Sequence, residues 1–149
     1  MRRMVVPLAA AALVACSSGD ESSDMTPAEA QAEVQEDLVP LVEDLAGRGV
    51  QITGPEEVPC GGLGGNELTK VKYDYDVGGG PSATPPQALA DDASSRLEAL
   101  GVEVTNRGPV DDRVDLDIRS DAYTGTLQLF DDGGVVLLVE TTCLDNPDL

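Results

Sequence analysis

The chain has 149 residues, enough for one small domain. Its 28 acidic residues outweigh 9 basic ones, for a net charge of −19, so it lacks the basic stripe that nucleic-acid phosphates require and is repelled by anionic phospholipid. There is no His, which removes Ser-His-Asp and Cys-His catalysis and His-ligated metals, and with 3% aromatics and no Trp the core must come from Val, Leu, Ile and Ala.

The first stretch reads as an address. Arg2 and Arg3 precede an apolar run, Met4 to Val14, broken only by Pro7. That run is too short to cross a bilayer, which takes roughly 20 apolar residues. A charged start, a short apolar middle and a small-residue end make a secretory signal. The end, Leu13-Val14-Ala15-Cys16, resembles the lipobox of bacterial lipoproteins, with Ser17, Ser18 and Gly19 following. The resemblance implies cleavage before Cys16 and a diacylglyceryl group on its sulfur. Arg2-Arg3 also opens a twin-arginine signal, but Met4-Val5-Val6 does not continue one, so the general secretory route is expected.

Two acyl chains give stable attachment where one is marginal. The mature chain needs them, because losing Arg2 and Arg3 leaves seven basic residues against 28 acidic ones. The expected division is a signal over 1–15, a lipidated Cys16 with a flexible acidic tether to residue 25, and one domain over 26–149. The tether, Ser17–Met25, has nothing to bury and spans on the order of 15–20 Å as a coil.

Thr26-Pro27-Ala28-Glu29 is a capping box with Pro at the first helical position. It predicts a helix to about Ala46, with Ala30, Val34, Leu38, Leu41 and Leu45 on one stripe, a kink at Pro40 and a stop at Gly47. Gly49–Thr53 predicts a short strand ended by Gly54-Pro55, and Glu56–Asn66 a loop. Its glycines, Gly61, Gly62, Gly64 and Gly65, lack the Lys-Ser/Thr of a phosphate cradle.

Leu68–Val77 alternates. Val71, Tyr73, Tyr75 and Val77 face one way, and Lys70, Lys72, Asp74 and Asp76 the other, as in a strand with one wet face. Thr84-Pro85-Pro86-Gln87 repeats the capping logic for a second helix, with a Leu89, Ala93, Leu97, Leu100 stripe and a stop at Gly101. Val102–Thr105 predicts a strand and Gly108-Pro109 a turn. Val114, Leu116 and Ile118 alternate with Arg113, Asp115, Asp117 and Arg119 in another half-wet strand. Ser120-Asp121 turns the chain into a strand over Ala122–Phe130, and Asp131–Gly134 is a hairpin turn. Val135–Thr142 is nearly continuous in apolar residues, which predicts a central strand. The expected fold class is α+β, an antiparallel sheet with two helices packed on one face in the order α β β α β β β β. The segments Leu45–Thr53 and Leu97–Thr105 echo each other as helix, glycine stop and short strand. An old duplication and a turn used twice both account for that.

With Cys16 lipidated, Cys60 and Cys143 remain as an even pair in an oxidising compartment, which favours a disulfide. Closing a loop of about 84 residues contributes roughly 4–5 kcal/mol in the loop-entropy picture. A thiol metal or redox site is the competing reading, weakened by the missing CxxC spacing.

The whole pattern resembles small lipoproteins of high-GC Gram-positive bacteria. The lipobox, the acidic Ser/Gly tether, Cys60-Gly61-Gly62 and the closing Thr141-Thr142-Cys143 carry the likeness. It implies a location on the outer side of the cell membrane, and a cysteine pair tying an early loop to the final strand. It implies no activity.

The remaining chemistry is that of carboxylates. Paired-acid glycoside hydrolysis needs two acids across a cleft with one raised by burial. Asp74/Asp76 and Asp115/Asp117 instead alternate along strands, as on a solvated sheet face. Calcium wants several oxygens, and Asp111, Asp112, Asp131 and Asp132 lie in loops, but D-x-[DN]-x-[DN]-G is absent, so only loose attraction of divalent ions is expected. The expectation is a non-enzymatic, lipid-anchored binding domain with an envelope protein as partner, no cofactor and no specific metal. The alternative is a carrier of small molecules or lipids, with an apolar pocket lined by Val, Leu and Tyr73/Tyr75.

Overall fold

The computed structural model describes residues 24–60 and 70–145. Cys16, the signal, most of the tether, the glycine-rich segment 61–69 and the tail 146–149 lie outside the described residues.

The chain enters through the capping box. The Thr26 hydroxyl accepts from the Glu29 amide at 3.2 Å, and Glu29 accepts from the Thr26 amide at 2.7 Å. These bonds to its ionised form hold the Glu29 carboxyl below its ordinary pKa. The first helix has three parts: α1 (Pro27–Glu33), one π turn (Val34–Leu38) and α2 (Val39–Ala46). The expected disturbance at Pro40 takes the form of this π turn. The proline ring has no N–H and crowds the carbonyl four residues back. The preceding turn widens, and the Val39 amide bonds to the Val34 carbonyl five residues away. Ala30, Val34, Leu38, Leu41 and Leu45 are all buried.

The second helix, α3 (Pro86–Ala99), has Pro85 at its cap with no side-chain hydrogen bond, so the capping logic of Thr26 is not repeated there. Leu100 is not part of its apolar stripe. It caps the helix and is 54% exposed, while Ala90 joins Leu89, Ala93 and Leu97 inside.

The sheet is antiparallel, in the order β1-β2-β6-β5-β4-β3. The strands are β1 (Gln51–Pro59), β2 (Lys70–Gly79), β3 (Glu103–Val110), β4 (Arg113–Arg119), β5 (Tyr123–Phe130) and β6 (Val135–Thr141). A two-residue β7 (Leu144–Asp145) pairs with the start of β2. The fold is therefore the expected α+β arrangement, with both helices on one face.

Two boundaries differ from the sequence reading, for one reason. Gly54-Pro55 and Gly108-Pro109 bulge their strands without ending them. Pairing with β2 resumes at Glu56, and pairing with β4 resumes at Pro109. A bulge leaves residues unpaired and bends the strand, and the glycines take the required left-handed conformation at φ 108° and 74°. The true turn after β3 lies at Asp111-Asp112. Both bulged strands are sheet edges, and each follows a helix, so the two echoing segments occupy equivalent places.

The core fills the space between helices and sheet. Cross-strand partners run through it, Leu116 opposite Leu127, Leu127 opposite Leu137 and Leu137 opposite Val77, all at 1% exposure or less. Arg96 of α3 bridges Asp44 of α2 at 2.7 Å across the outer surface. Cys60 and Cys143 form a disulfide that ties the end of β1 to the segment between β6 and β7.

Candidate functional site: a groove on the open sheet face

A strand period of two sends alternate side chains to opposite faces. With the helices on one side, no other described element covers the opposite face, and most of its side chains meet solvent. Successive residues of β6 show the contrast: Val135, Leu137 and Val139 are buried, whereas Leu138 is 44% exposed. β6 is central in position, as expected, but covered on one face only.

This open face is concave. It holds a groove of about 760 Å³ lined by residues from every one of the six strands. Two features account for the curvature. The bulged edge strands bend at either side. In the middle, Gly125 lets β5 and β6 press together: a Cβ there would lie 2.4 Å from the Leu138 carbonyl oxygen and 3.0 Å from Val139 Cα.

Two rows of cross-strand partners line it. One row reads Glu56, Asp74, Glu140, Thr124, Arg119 and Glu103 from β1 to β3. The next reads Thr53, Asp76, Leu138, Thr126, Asp117 and Thr105. The first row sets three carboxylates side by side on adjacent strands. Like charges directly opposite each other destabilise a sheet. Lys72 offsets part of this through its ion pair with Glu140, which raises the lysine pKa. Lys72 also attracts Asp74, whose Oδ1 is shut off from solvent and has no hydrogen-bond partner among the described residues. At the far side Asp117 is neutralised by Arg107 and accepts from the Thr126 hydroxyl at 3.2 Å. The groove is therefore acidic at its β1–β2 end and near balance at its β3–β4 end.

The sequence places Asp74, Asp76 and Asp117 on wet strand faces, and the structure agrees. It adds what the register alone decides, that Glu56, Glu103 and Glu140 join them in one concavity. Glu56 escapes the sequence pattern because Gly54-Pro55 has the signature of a strand end, whereas pairing resumes at Glu56. Asp115 corrects the half-wet reading of β4. It is only 7% exposed, bound by Arg113 Nε at 2.8 Å, and the guanidinium covers it from above the Phe130 ring, 5.8 Å from the centroid. That partnership raises the Arg113 pKa.

The acidic turns are also near each other, the Asp131 amide donating to the Asp112 carbonyl at 2.8 Å. Among the described residues no three acidic or cysteine side chains converge to hold a metal ion. A second, more open depression of about 520 Å³ lies beside Met25 and α1, walled chiefly by that one helix. Glu33 is in its wall, and burial raises the pKa of Glu33 and Asp37 and pushes the Tyr123 phenol up to about 12. No helix of the described residues is long and apolar enough to cross a membrane.

No protein-family model matches the chain, and no curated protein matches it. Among solved structures, the crystal structure of LppA from Mycobacterium tuberculosis, a candidate lipoprotein, is similar over 83% of this chain and 80% of that one. The TM-score is 0.48 and the identity 12%, a likeness too slight to carry an argument about function.

Proposed function

We propose that the chain is a lipid-anchored, non-enzymatic domain on the outer side of the cell membrane that binds another envelope component in the open-face groove. The lipobox ending at Cys16, followed by an acidic tether, supports the anchor. The groove supports the binding role and is the observation that carries it: a concavity reaching across six strands, on the sheet face that no other element among the described residues covers. A carrier of apolar molecules would need an enclosed apolar chamber, and this groove is open, with carboxylates and threonines set among Tyr75, Ile118 and Leu138.

Two measurements test the two parts. In cells fed an alkyne analogue of palmitate, the wild-type chain is expected to take up label and sediment with membranes, and Cys16→Ser to do neither. Labelled or membrane-bound Cys16→Ser overturns the anchor. A photo-crosslinking amino acid at position 138, in the groove, is expected to capture an envelope component that the same probe at position 91, on the outer face of α3, does not. Equal capture from both positions overturns the groove as the binding surface.

A further inference from the structure

The groove has a charge gradient, and the gradient specifies its occupant. We infer that it receives an extended polypeptide segment whose lysine or arginine residues lie at the β1–β2 end, against Asp74, Asp76 and Glu56. This rests on the groove being the binding surface, and goes beyond it by naming what binds.

Three observations converge. The first is the like-charge row Glu56–Asp74–Glu140, which destabilises the free sheet and which an incoming cation would relieve. The second is that Asp74 Oδ1 has no hydrogen-bond donor among the described residues, its charge being met only by the neighbouring Lys72. The Asp74 carboxylate lines the groove beside Asp76 and Glu140, where a cation meets all three. The third is the length and chemistry of the rest of the groove. Five strand spacings of about 4.8 Å make it roughly 24 Å across, the reach of about seven extended residues. Thr53, Thr105, Thr124 and Thr126 offer hydroxyls to peptide groups, and Leu138, midway along, offers an apolar seat for an aliphatic side-chain stem. A compact cation would use only one end of such a surface. At the opposite end Arg119 faces Glu103 and Arg107 neutralises Asp117, so a uniformly basic segment gains nothing there. The asymmetry sets the direction in which the segment lies.

The test uses the purified full chain in non-ionic detergent and a blocked heptapeptide of sequence Lys-Lys-Val-Thr-Val-Ser-Val, titrated at low and at physiological salt. Binding is expected, with shifts in the Leu138 methyl and Thr126 amide resonances. The double variant Asp74→Asn/Asp76→Asn is expected to weaken it tenfold or more. The variant Asp91→Asn/Glu98→Gln, which removes the same charge from the outer face of α3, is expected to change it less than twofold. Asp74→Asn alone is expected to raise Tm by about 2–4 °C while weakening the peptide, because it removes the like-charge strain and the cation's partner together.

An equal loss in both double variants would mean bulk attraction to an acidic protein, and would overturn the inference. So would spermine or calcium occupying the same resonances as tightly as the peptide, or a lowered Tm in Asp74→Asn, or no binding. Capture by the position 138 crosslinker decides which claim has failed. Capture without peptide binding leaves the groove as the surface and removes the basic segment, and absence of both removes the two together.

Discussion

The two faces of this sheet are made of the same strands and obey different rules. The helix-covered face is packed with Val, Leu and Tyr side chains, nearly all with less than 5% exposure. The open face carries threonines and carboxylates, with three ion pairs among the described residues and the exposed Leu138. Burial drives the first face, and its residues are chosen to fill space. The second face gains little from burial and tolerates three carboxylates in a row, a cost that folding alone does not require.

The sharpest way to break this comparison is to truncate two neighbouring leucines of β6. Leu137→Ala empties a fully buried site and is expected to cost about 2–5 kcal/mol. Leu138→Ala, one residue on, is expected to cost less than about 0.5 kcal/mol. Urea unfolding midpoints measure both, and similar losses would show that the faces are not distinct.

Gly125 links the faces, and its substitution is the next largest effect. An added methyl group must push β5 away from the β6 backbone at Leu138 and Val139. Gly125→Ala is expected to lose about 1–3 kcal/mol and to flatten the groove. Unfolding reads the first change, and peptide affinity the second. A variant of wild-type stability with an unchanged groove would mean that this close approach does not shape it.

The smallest effect lies in the helix layer. Burial raises the Asp37 carboxyl pKa in the folded chain, so the folded state binds more protons than the unfolded one as the group titrates. Stability from this group therefore falls as pH rises through that range, and the penalty is complete above the folded pKa. Asp37→Asn is expected to raise Tm at pH 7 by about 1–2 °C. The gain should shrink as pH falls through the folded pKa and vanish below the unfolded one. A gain that is constant down to pH 3 would assign the effect to something other than titration.

Much of this was legible in the chain. The capping box at Thr26–Glu29, the helix stripe from Ala30 to Leu45 and the alternation of β2 are local patterns with periods of 3.6 and 2, and each appears where its period places it. The misreadings were local too. A Gly-Pro pair reads as a stop, yet in β1 and β3 the neighbouring strand supplied enough pairing for the chain to bulge and continue. Asp115 read as wet because its cover, Arg113, comes from two residues away on its own strand.

The sequence by itself determined the elements, their order and which side of each strand is apolar, because periodicity is written residue by residue. Only the tertiary structure decided that Glu56, Asp74 and Glu140 stand in one row, and that the row lines a concavity. Those residues are up to 84 positions apart in the numbering, and what joins them is register between strands, which depends on bulges, a glycine contact and the packing of two helices on the other side.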